Sequence, residues 1–322
     1  MIREENCVKS KTILLYEGRS DVSLTTYVLQ DSPELLAGKR RPAILVCPGG
    51  GYFNCSDREA EPIALRFAAM GYHAFVLRYS TYCEGGSFPD LTKPLPVRER
   101  DLHPAPLRDI GKAMRLICEN AERWLVDPER IAVCGFSAGG HNAAMYATRW
   151  QDDPDNPRPA AAILGYPLTD YVIKPELEKR MDPGANSFHR ASDTAFLGTP
   201  DPAPELREDV SPARHVTRDT PPTFLWATSA DELVPVQHSL QMAMALSDAG
   251  IPYELHIFEQ GPHGLGLADQ STAAAWSQCS TDAAVWAELA AKWLFKRFSL
   301  PLPEKSAFEM MVESGGFPGA GD

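Results

Sequence analysis

The sequence feature that most constrains the fold is an apolar run followed by a serine between two glycines. Residues 130–134 predict a buried strand, and residues 142–150 have the composition of a helix. Between them, Gly135, Ser137 and Gly139 match the pattern G-x-S-x-G, in which small residues permit a sharp strand-to-helix turn. Such a turn raises the serine hydroxyl above the sheet, beside the positive amino end of the helix. The stretch predicts a nucleophilic serine, and the flanking strand and helix make a chance match a poorer explanation.

Short apolar runs alternate with amphipathic segments along most of the chain. Helical spacing of apolar residues recurs in five segments: 56–70, 107–124, 142–150, 236–249 and 283–298. Strand-like runs occur at 12–16, 22–29, 43–47, 74–78, 130–134, 160–165, 223–228 and 253–258. The first two runs predict an antiparallel hairpin at a sheet edge. The predicted fold class is α/β, with a mostly parallel eight-stranded sheet and helices on both faces.

Two long segments lack a sustained apolar period. Residues 80–106 are rich in proline, glycine and charge, and they predict a long surface loop. Residues 166–222 are the least regular part of the chain, and we expect them to fold over the serine as a lid-like insertion or a static wall. No break in composition divides the chain, so we expect one domain over residues 1–322, with a frayed glycine-rich tail at 313–322. A role for this tail in forming a homo-oligomer is a hypothesis.

Charge and composition limit the partners that we expect. A net charge of −12 disfavours phosphate backbones and anionic lipid, so we expect no nucleic-acid or membrane partner and a neutral substrate. The seven cysteines are scattered, odd in number and without a C-x-x-C pair, which argues against a metal site or a disulfide framework. The first six residues include acidic side chains where a signal peptide needs an apolar block, and no apolar run has the length of a membrane span. A cytoplasmic location is the expectation.

A serine nucleophile needs a histidine base, and the histidine needs a carboxylate that fixes its tautomer. Asp231 follows the predicted strand at 223–228, and His263 follows the next predicted strand, in a turn with glycines on either side. The order Ser137, Asp231, His263 is the one expected when both partners lie in loops after later strands. Glu232 competes with Asp231 for the role of the acid, but its side chain is longer and it lies one position further along the turn.

The other seven histidines are weaker candidates for the base. His256 lies within a predicted strand and is interpreted as a packed or edge side chain, whereas His238 lies in a predicted helix and is interpreted as solvated. His141 is one turn beyond the serine and could line the pocket, although packing against the sheet fits better. The remaining four do not follow a suitable late strand: His73, His103, His189 and His215.

The tetrahedral intermediate of acyl transfer needs hydrogen-bond donors for its oxyanion. The backbone N–H of Ala138, directly after the serine, is one candidate donor. Gly50 and Gly51 follow the predicted strand at 43–47 and offer others, because residues without a Cβ let the backbone approach a substrate closely. A merely flexible turn is a weaker explanation for glycines that directly follow a buried strand. Phosphate binding is disfavoured, since no Lys-Ser/Thr pair follows them and no G-x-G-x-x-G pattern is present.

Further segments carry recognisable patterns. They are Pro-Gly-Gly-Gly-Tyr at 48–52, Ser-Asp-Arg-Glu-Ala-Glu-Pro at 56–62, and the shorter stretches 104–109 and 229–232. With the candidate site residues, these segments resemble the carboxylesterase branch of the α/β-hydrolase superfamily that contains acetyl xylan esterases and related acetyl esterases. Hormone-sensitive-lipase-like esterases instead have a histidine before the three glycines, where this chain has Pro48.

This resemblance implies an α/β-hydrolase fold and removal of acetyl groups from sugar hydroxyls, with xylo-oligosaccharides imported into the cell as the expected substrate. It implies acyl transfer to Ser137 with His263 as base, and no metal or organic cofactor. Tyr52 is expected to contact the leaving sugar, and a structural aromatic is the alternative.

Other interpretations are a small-molecule carboxylesterase, a peptidase of the prolyl-oligopeptidase type and a catalytically silent binding module. A chain of 322 residues leaves no room for the propeller that such peptidases carry beside the hydrolase. A silent module has no need to keep the serine, the acid, the histidine and the glycine loop together.

Overall fold

One sheet organises the molecule. The computed structural model describes residues 8–32, 35–91, 93–280 and 282–314. Within these residues the strands are β1 (Lys9–Tyr16), β2 (Arg19–Val28), β3 (Arg41–Cys47), β4 (His73–Arg78), β5 (Val126–Phe136), β6 (Ala161–Gly165), β7 (Thr223–Thr228) and β8 (Tyr253–Phe258). Their spatial order is β1-β2-β4-β3-β5-β6-β7-β8. Strands β3 to β8 are parallel to one another, whereas β1 pairs antiparallel with β2, and β2 pairs antiparallel with β4.

This topology confirms the predicted fold class and the predicted hairpin at the sheet edge. Strand β3 is buried at every position. Its side chains alternate between two apolar clusters, with Leu45 in one cluster and Ile44 in the other. Alternation into two apolar layers is what a sheet covered on both faces requires.

Helices cover both faces of the sheet. In the described part of the chain they are α1 (Glu61–Ala69), α2 (Ala105–Glu119), α3 (Ala121–Trp124), α4 (Ser137–Arg149), α5 (Lys174–Glu178), α6 (Pro183–Leu197), α7 (Pro204–Asp209), α8 (Gln237–Asp248), α9 (Trp286–Phe298) and α10 (Ala307–Glu313). Helices α1 and α9 contribute to one apolar cluster, and α2, α4 and α8 contribute to the other. The sheet is therefore a middle layer between two groups of helices.

Several element boundaries differ from the predicted ones. Helix α1 begins at Glu61, because Pro62 is tolerated only in a first turn, and the side chain of Ser56 caps no helix. The predicted helix over 107–124 is interrupted at Asn120, whose side-chain amide donates to the carbonyl of Leu116 at 2.9 Å. Strand β5 begins four residues before the predicted run at 130–134, in a stretch that is only partly buried.

The segment 166–222 contains more regular structure than the sequence predicts, because it includes α5, α6 and α7. Helix α6 is capped by the carboxylate of Asp182, which accepts a backbone N–H of the first turn at 2.9 Å, and it ends at Gly198, which has a φ of +76°. The expectation of an irregular segment was therefore wrong. Its buried face includes His189 and Asp193 beside apolar side chains, and this mixture obscures the helical period in the sequence.

Two other segments complete the fold. Between residues 80 and 104 the described residues contain one short turn of 3-10 helix at Glu99–Asp101, in agreement with the predicted loop. Most of the predicted tail, residues 315–322, lies outside the described residues. None of the helices in the ranges that the structure describes is both long and apolar enough to cross a bilayer.

Candidate active site

The serine turn joins the end of β5 to the start of α4, as the sequence predicts. Ser137 is the first residue of α4 and has a φ of +51°, a left-handed conformation that is uncommon for residues other than glycine. A Cβ on Gly135 would collide with the backbone of Gly139, and a Cβ on Gly139 would collide with the carbonyl group of Cys47. Backbone packing around the turn therefore requires both glycines, and this packing maintains the strained conformation of the serine.

Ser137, His263 and Asp231 form a continuous hydrogen-bonded chain. Nε2 of His263 lies 2.7 Å from Oγ of Ser137, and Nδ1 of His263 lies 2.7 Å from Oδ2 of Asp231. An ionised carboxylate only accepts hydrogen bonds, so Nδ1 carries the ring proton and Nε2 accepts the proton of the serine. The structure thus brings together the three residues that the order of the chain predicts, from the carboxyl ends of β5, β7 and β8.

Asp231 is fixed by the backbone that follows it. Its Oδ1 accepts the N–H groups of Leu233 and Val234 at 2.9 Å each, and the residue is only 6% exposed. This turn directs the second oxygen of the carboxylate at His263. The competing acid, Glu232, is exposed to solvent. The shorter side chain is therefore the one that reaches the histidine, as predicted.

The environment of His263 favours its protonated form. Burial lowers the pKa of the imidazole, but the charge and hydrogen bond of Asp231 and the charge of Glu59 more than offset this, so that the pKa is raised above its usual value. The nearby Arg58 acts in the opposite direction. A raised pKa suits a group that must take a proton from serine and then hold it as an imidazolium.

The glycine loop after β3 lies close to the serine. A Cβ on Gly49 would be 2.9 Å from the Cβ of Ser137, and Gly50 and Gly51 have φ values of +133° and +61°. The N–H of Gly49 donates to the carboxylate of Glu59 at 2.8 Å, so this donor is occupied. The predicted donors Gly50 and Gly51 are the next two residues of the loop, and Ala138 is in the first turn of α4.

Tyr52 belongs to the core rather than to an accessible surface. It is 3% exposed, its ring stacks on Phe196 with centroids 4.0 Å apart, and its hydroxyl is hydrogen-bonded to Nδ1 of His141. The prediction that this side chain contacts the leaving sugar does not fit this placement. This placement agrees with the alternative interpretation, in which Tyr52 is a structural aromatic residue.

Two histidines near the site are buried and neutral. His141 is fully buried, its Nε2 donates to the carbonyl of Val210 at 2.8 Å, and burial lowers its pKa to about 3. His238 was predicted to be solvated, and this was wrong. It is also fully buried, burial lowers its pKa to about 3, and its Nδ1 accepts the N–H of Asp170 at 3.3 Å. The segment 166–222 supplies one partner to each ring, Val210 to His141 and Asp170 to His238.

Three residues without an individual role in the sequence analysis lie beside the histidine and the glycine loop. They are Arg58 and Glu59, in a 3-10 turn at Asp57–Glu59, and Tyr166, directly after β6. The available signal was a pair of opposite charges within the segment 56–62, just after the glycine loop. The contacts of Arg58 with Gly264 and of Glu59 with Tyr166 span more than a hundred residues of sequence, so the segment alone could not reveal them.

A groove of about 780 Å³ with a mixed polar and apolar lining opens beside His263. Its lining includes Glu232, Gln260, Ser277, Ser280 and Asp282. Trp276, the neighbour of Ser277 in the chain, is 78% exposed. Among the residues that the structure describes, no cluster of three or more histidine, cysteine or acidic side chains could hold a metal ion. The groove therefore offers hydrogen-bonding groups next to the candidate base.

This combination of fold and site defines the class of protein. A mostly parallel sheet, a serine on a sharp strand-to-helix turn, and an acid and a histidine after later strands are the features of a serine hydrolase with the α/β-hydrolase fold.

Comparison with known proteins supports this class and narrows it. The BD-FAE family model matches residues 97–246. The structure of an acetyl ester-xyloside bifunctional hydrolase from Caldicellulosiruptor lactoaceticus is 34% identical, with a TM-score of 0.69, and the match covers 90% of this chain and 97% of that chain. A protein of Butyrivibrio fibrisolvens named endo-1,4-beta-xylanase B is 36% identical over 74% of this chain, and an acetylxylan esterase of Xylanibacter ruminicola is 29% identical over 73% of it. The chain spans 34% and 42% of the length of these two curated relatives.

The chain belongs to the α/β-hydrolase superfamily and, within it, to the carboxylic ester hydrolases that resemble acetyl xylan esterases.

Proposed function

We propose that the protein is a serine esterase that removes acetyl groups from acetylated carbohydrate, with xylo-oligosaccharides as substrates. The observation that carries this proposal is the groove beside His263, because its lining includes five other polar side chains. The leaving alcohol departs on the side of the histidine that protonates it, so the alcohol portion of the ester would meet these hydrogen-bonding side chains. The relatives named as an acetylxylan esterase and an acetyl ester-xyloside hydrolase support the same substrate class.

The first half of the reaction is acyl transfer to Ser137. His263 takes the proton from Oγ of the serine as the oxygen attacks the acetyl carbonyl, and Asp231 stabilises the imidazolium that forms. The N–H groups of Gly50, Gly51 and Ala138 are the proposed donors to the oxyanion. When the tetrahedral intermediate collapses, His263 gives its proton to the sugar oxygen, and the sugar leaves with its hydroxyl restored.

The second half returns the enzyme to its starting state. A water molecule occupies the place vacated by the sugar, and His263 takes its proton as the water oxygen attacks the acetyl-serine. Collapse of the second intermediate breaks the acyl–serine bond, and the proton returns to Oγ of Ser137. Acetate is released, and the chemistry calls on no group beyond these side chains and backbone donors.

The size of the acyl group is limited by α6 in this proposal. The ring of Phe188 lies against Gly51, where a Cβ would be 2.5 Å from Cζ of the ring. Helix α6 is attached to both sides of the site, because Oγ of Ser192 donates to the carbonyl of Gly51 at 2.9 Å and His189 is bonded to the carbonyl of Leu233 at 2.6 Å. These contacts support a static wall for the segment 166–222, in preference to a lid, and a wall at this place favours short acyl groups.

The proposal is tested by measuring acetate release from acetylated xylo-oligosaccharides, with 4-nitrophenyl acetate as a second substrate. We expect the wild-type protein to cleave both substrates and the Ser137→Ala variant to cleave neither above background. Cleavage of the nitrophenyl ester with the oligosaccharides left intact would retain the serine esterase and reject the carbohydrate substrate. Cleavage by the variant at the wild-type rate would reject Ser137 as the nucleophile.

A sugar contact by the exposed ring of Trp276, which precedes the groove residue Ser277 in the chain, is tested separately. Stacking of a sugar ring on an exposed indole is expected to contribute roughly 1 kcal/mol, so Trp276→Ala should raise KM for the oligosaccharide about 5-fold. The KM for 4-nitrophenyl acetate should not change, because this ester lacks the sugar. Phe295→Ala is the matched control, since Phe295 is an exposed aromatic residue on α9. An unchanged KM for the oligosaccharide in Trp276→Ala would remove this residue from the subsite.

A further inference from the structure

The carboxylate of Glu59 connects the glycine loop to the interior of the site. It is 3% exposed, and its Oε2 accepts the N–H of Gly49 at 2.8 Å. Its Oε1 accepts the hydroxyl of Tyr166 at 2.6 Å. A Cβ on Gly49 would be 2.6 Å from Oε2 of Glu59 and 2.9 Å from the Cβ of Ser137, so the carboxylate and the serine flank the same glycine.

Tyr166 extends this connection to the loop that carries His263. Its hydroxyl oxygen accepts the N–H of Gly266 at 2.9 Å while its hydrogen is donated to Glu59. Its ring packs edge-on against the ring of His263, with centroids 5.0 Å apart. A single buried carboxylate is therefore linked to the glycine loop on one side of Ser137 and to the histidine loop on the other.

Arg58, the preceding residue, holds the same histidine loop by a separate route. One nitrogen of its guanidinium, Nη1, donates to the carbonyl groups of Gly264 and Thr272 at 2.9 Å each. Gly264 directly follows His263. Two consecutive residues of the 3-10 turn at Asp57–Glu59 thus hold the stretch that follows His263, Arg58 directly and Glu59 through Tyr166.

We propose that Glu59 is a positioning residue of the esterase reaction, whose carboxylate holds the Gly49–Gly51 loop and, through Tyr166, the His263 loop in their places around Ser137. Burying a carboxylate is costly unless hydrogen bonds compensate for the lost water, and these two bonds provide that compensation at the point where two catalytic loops meet. The inference rests on the proposed roles of Ser137 and His263, and it does not depend on the identity of the sugar.

The charge of Glu59 also raises the pKa of His263, an effect that a merely structural side chain would not have. The titratable and charged groups that face His263 are Asp231, Glu59, Arg58 and His189. Asp231 and Glu59 raise the pKa of His263, whereas Arg58 lowers it. Removing the charge of Glu59 should therefore lower the pKa of His263 and move the acidic limb of the activity profile to lower pH.

The test uses Glu59→Gln and 4-nitrophenyl acetate, whose cleavage by the wild-type protein establishes the esterase independently of carbohydrate. Glutamine keeps the shape of the side chain but replaces one of the two accepting oxygens with an NH2 group, which cannot accept the hydrogen bond that Gly49 or Tyr166 donates at that position. We expect kcat to fall about 100-fold with KM changed less than 3-fold, because the loops support the transition state rather than substrate binding. The acidic limb of kcat/KM should shift to lower pH.

Tyr166→Phe is the second variant, and it also carries the test if Glu59→Gln does not fold. It keeps the ring and the charge of Glu59 but breaks the connection to Gly266, so kcat should fall while the acidic limb does not move to lower pH. Glu61→Gln is the matched control, because Glu61 is an exposed carboxylate two residues away, and it should behave like the wild type.

Folded variants are identified by circular dichroism and thermal unfolding before kinetics are compared. The proposal is overturned if folded Glu59→Gln retains the wild-type kcat, or if its kcat falls with no movement of the acidic limb. It is also overturned if folded Tyr166→Phe keeps full activity. Failure of the wild-type protein to cleave the nitrophenyl ester would instead count against the proposed function.

Discussion

Two histidines near Ser137, His263 and His141, have environments that shift the pKa of the imidazole in opposite directions. His263 donates from Nδ1 to the carboxylate of Asp231, and its pKa is raised because the attraction of nearby carboxylates exceeds the effect of burial. His141, on the helix that Ser137 begins, donates from Nε2 to the carbonyl of Val210 and is bonded at Nδ1 to the hydroxyl of Tyr52. Burial lowers its pKa to about 3, so its ring is neutral at physiological pH.

The difference shows that closeness to the nucleophile in sequence does not make a base. His141 is only four residues from Ser137, but both of its ring nitrogens are occupied and none of its surface is exposed. His263 is 126 residues away and directs a free lone pair at the serine. A charged partner selects the base, whereas neutral partners make the other histidine a structural link between α4, the glycine loop and the segment 166–222.

Of the variants that test the different roles of the two histidines, His263→Ala should cause the largest loss of kcat. His263→Ala is expected to lower kcat for 4-nitrophenyl acetate by about 10⁴-fold or more, because His141 cannot reach the serine proton. The measurement is steady-state hydrolysis at pH 7 to 8, with background hydrolysis subtracted. Retention of more than about one hundredth of the wild-type kcat would show that another group acts as base.

Neutralising Asp231, the carboxylate that is hydrogen-bonded to His263, should cause the next largest loss of kcat. Asp231→Asn keeps the shape of the side chain but favours the wrong tautomer of His263, so kcat should fall about 10³- to 10⁴-fold. Glu232→Gln is the matched control, and it should change kcat less than 2-fold because Glu232 is exposed. Equal losses in the two variants would contradict the assignment of Asp231.

Replacing His141 should lower the free energy of unfolding but change kcat only slightly. In His141→Gln the side-chain amide can still donate to Val210, but the fit to Tyr52 is lost, so the free energy of unfolding should fall by about 1–3 kcal/mol. We expect kcat at 25 °C to fall less than 10-fold. Urea unfolding and steady-state kinetics on the same preparation provide both values. A loss of activity as large as that of His263→Ala, in a folded variant, would contradict the structural role.

The smallest expected effect is the contribution of His141 to the pH dependence of the free energy of unfolding. The unfolded chain binds a proton at His141 below about pH 6.5, whereas the folded chain does so only near pH 3, so acid favours unfolding. Between pH 6 and pH 5, protonation of this single ring in the unfolded chain should lower the free energy of unfolding by about 1.2 kcal/mol.

The matched pair for this measurement is His141→Gln and Tyr52→Phe. The first variant removes the titrating ring, so its stability should fall less steeply with acid than that of the wild type. The second weakens the same contact but keeps the ring, so it should retain the wild-type slope. Equal slopes in the wild type and His141→Gln would show that His141 is protonated in the folded protein.

Much of the fold and the candidate triad could be predicted from sequence, because the signals are local. The apolar run of β5 and the glycines of the serine turn are contiguous, and the turn requires those glycines for steric reasons. Asp231 and His263 follow strands of a parallel sheet, whose carboxyl ends meet at one edge, so they could be placed near Ser137 without knowledge of any contact.

The parts that sequence did not reveal depend on distant contacts. The buried position of Tyr52 depends on Phe196 and His141, and the burial of His238 depends on Asp170. Glu59 meets Tyr166 across 107 positions of the sequence. In each case the local pattern is compatible with a solvated side chain, and only the packing of the segments after β3 and β6 decides its role.

Trapping the nucleophile tests most directly whether Ser137 is the residue that attacks the ester. The protein would be treated with diethyl 4-nitrophenyl phosphate, and the site of phosphorylation would be found by peptide mass spectrometry. We expect one phosphoryl group per chain on Ser137, no adduct in Ser137→Ala, and much slower labelling in His263→Ala. Labelling of a different residue, or unlabelled protein that still hydrolyses esters after treatment, would contradict this expectation.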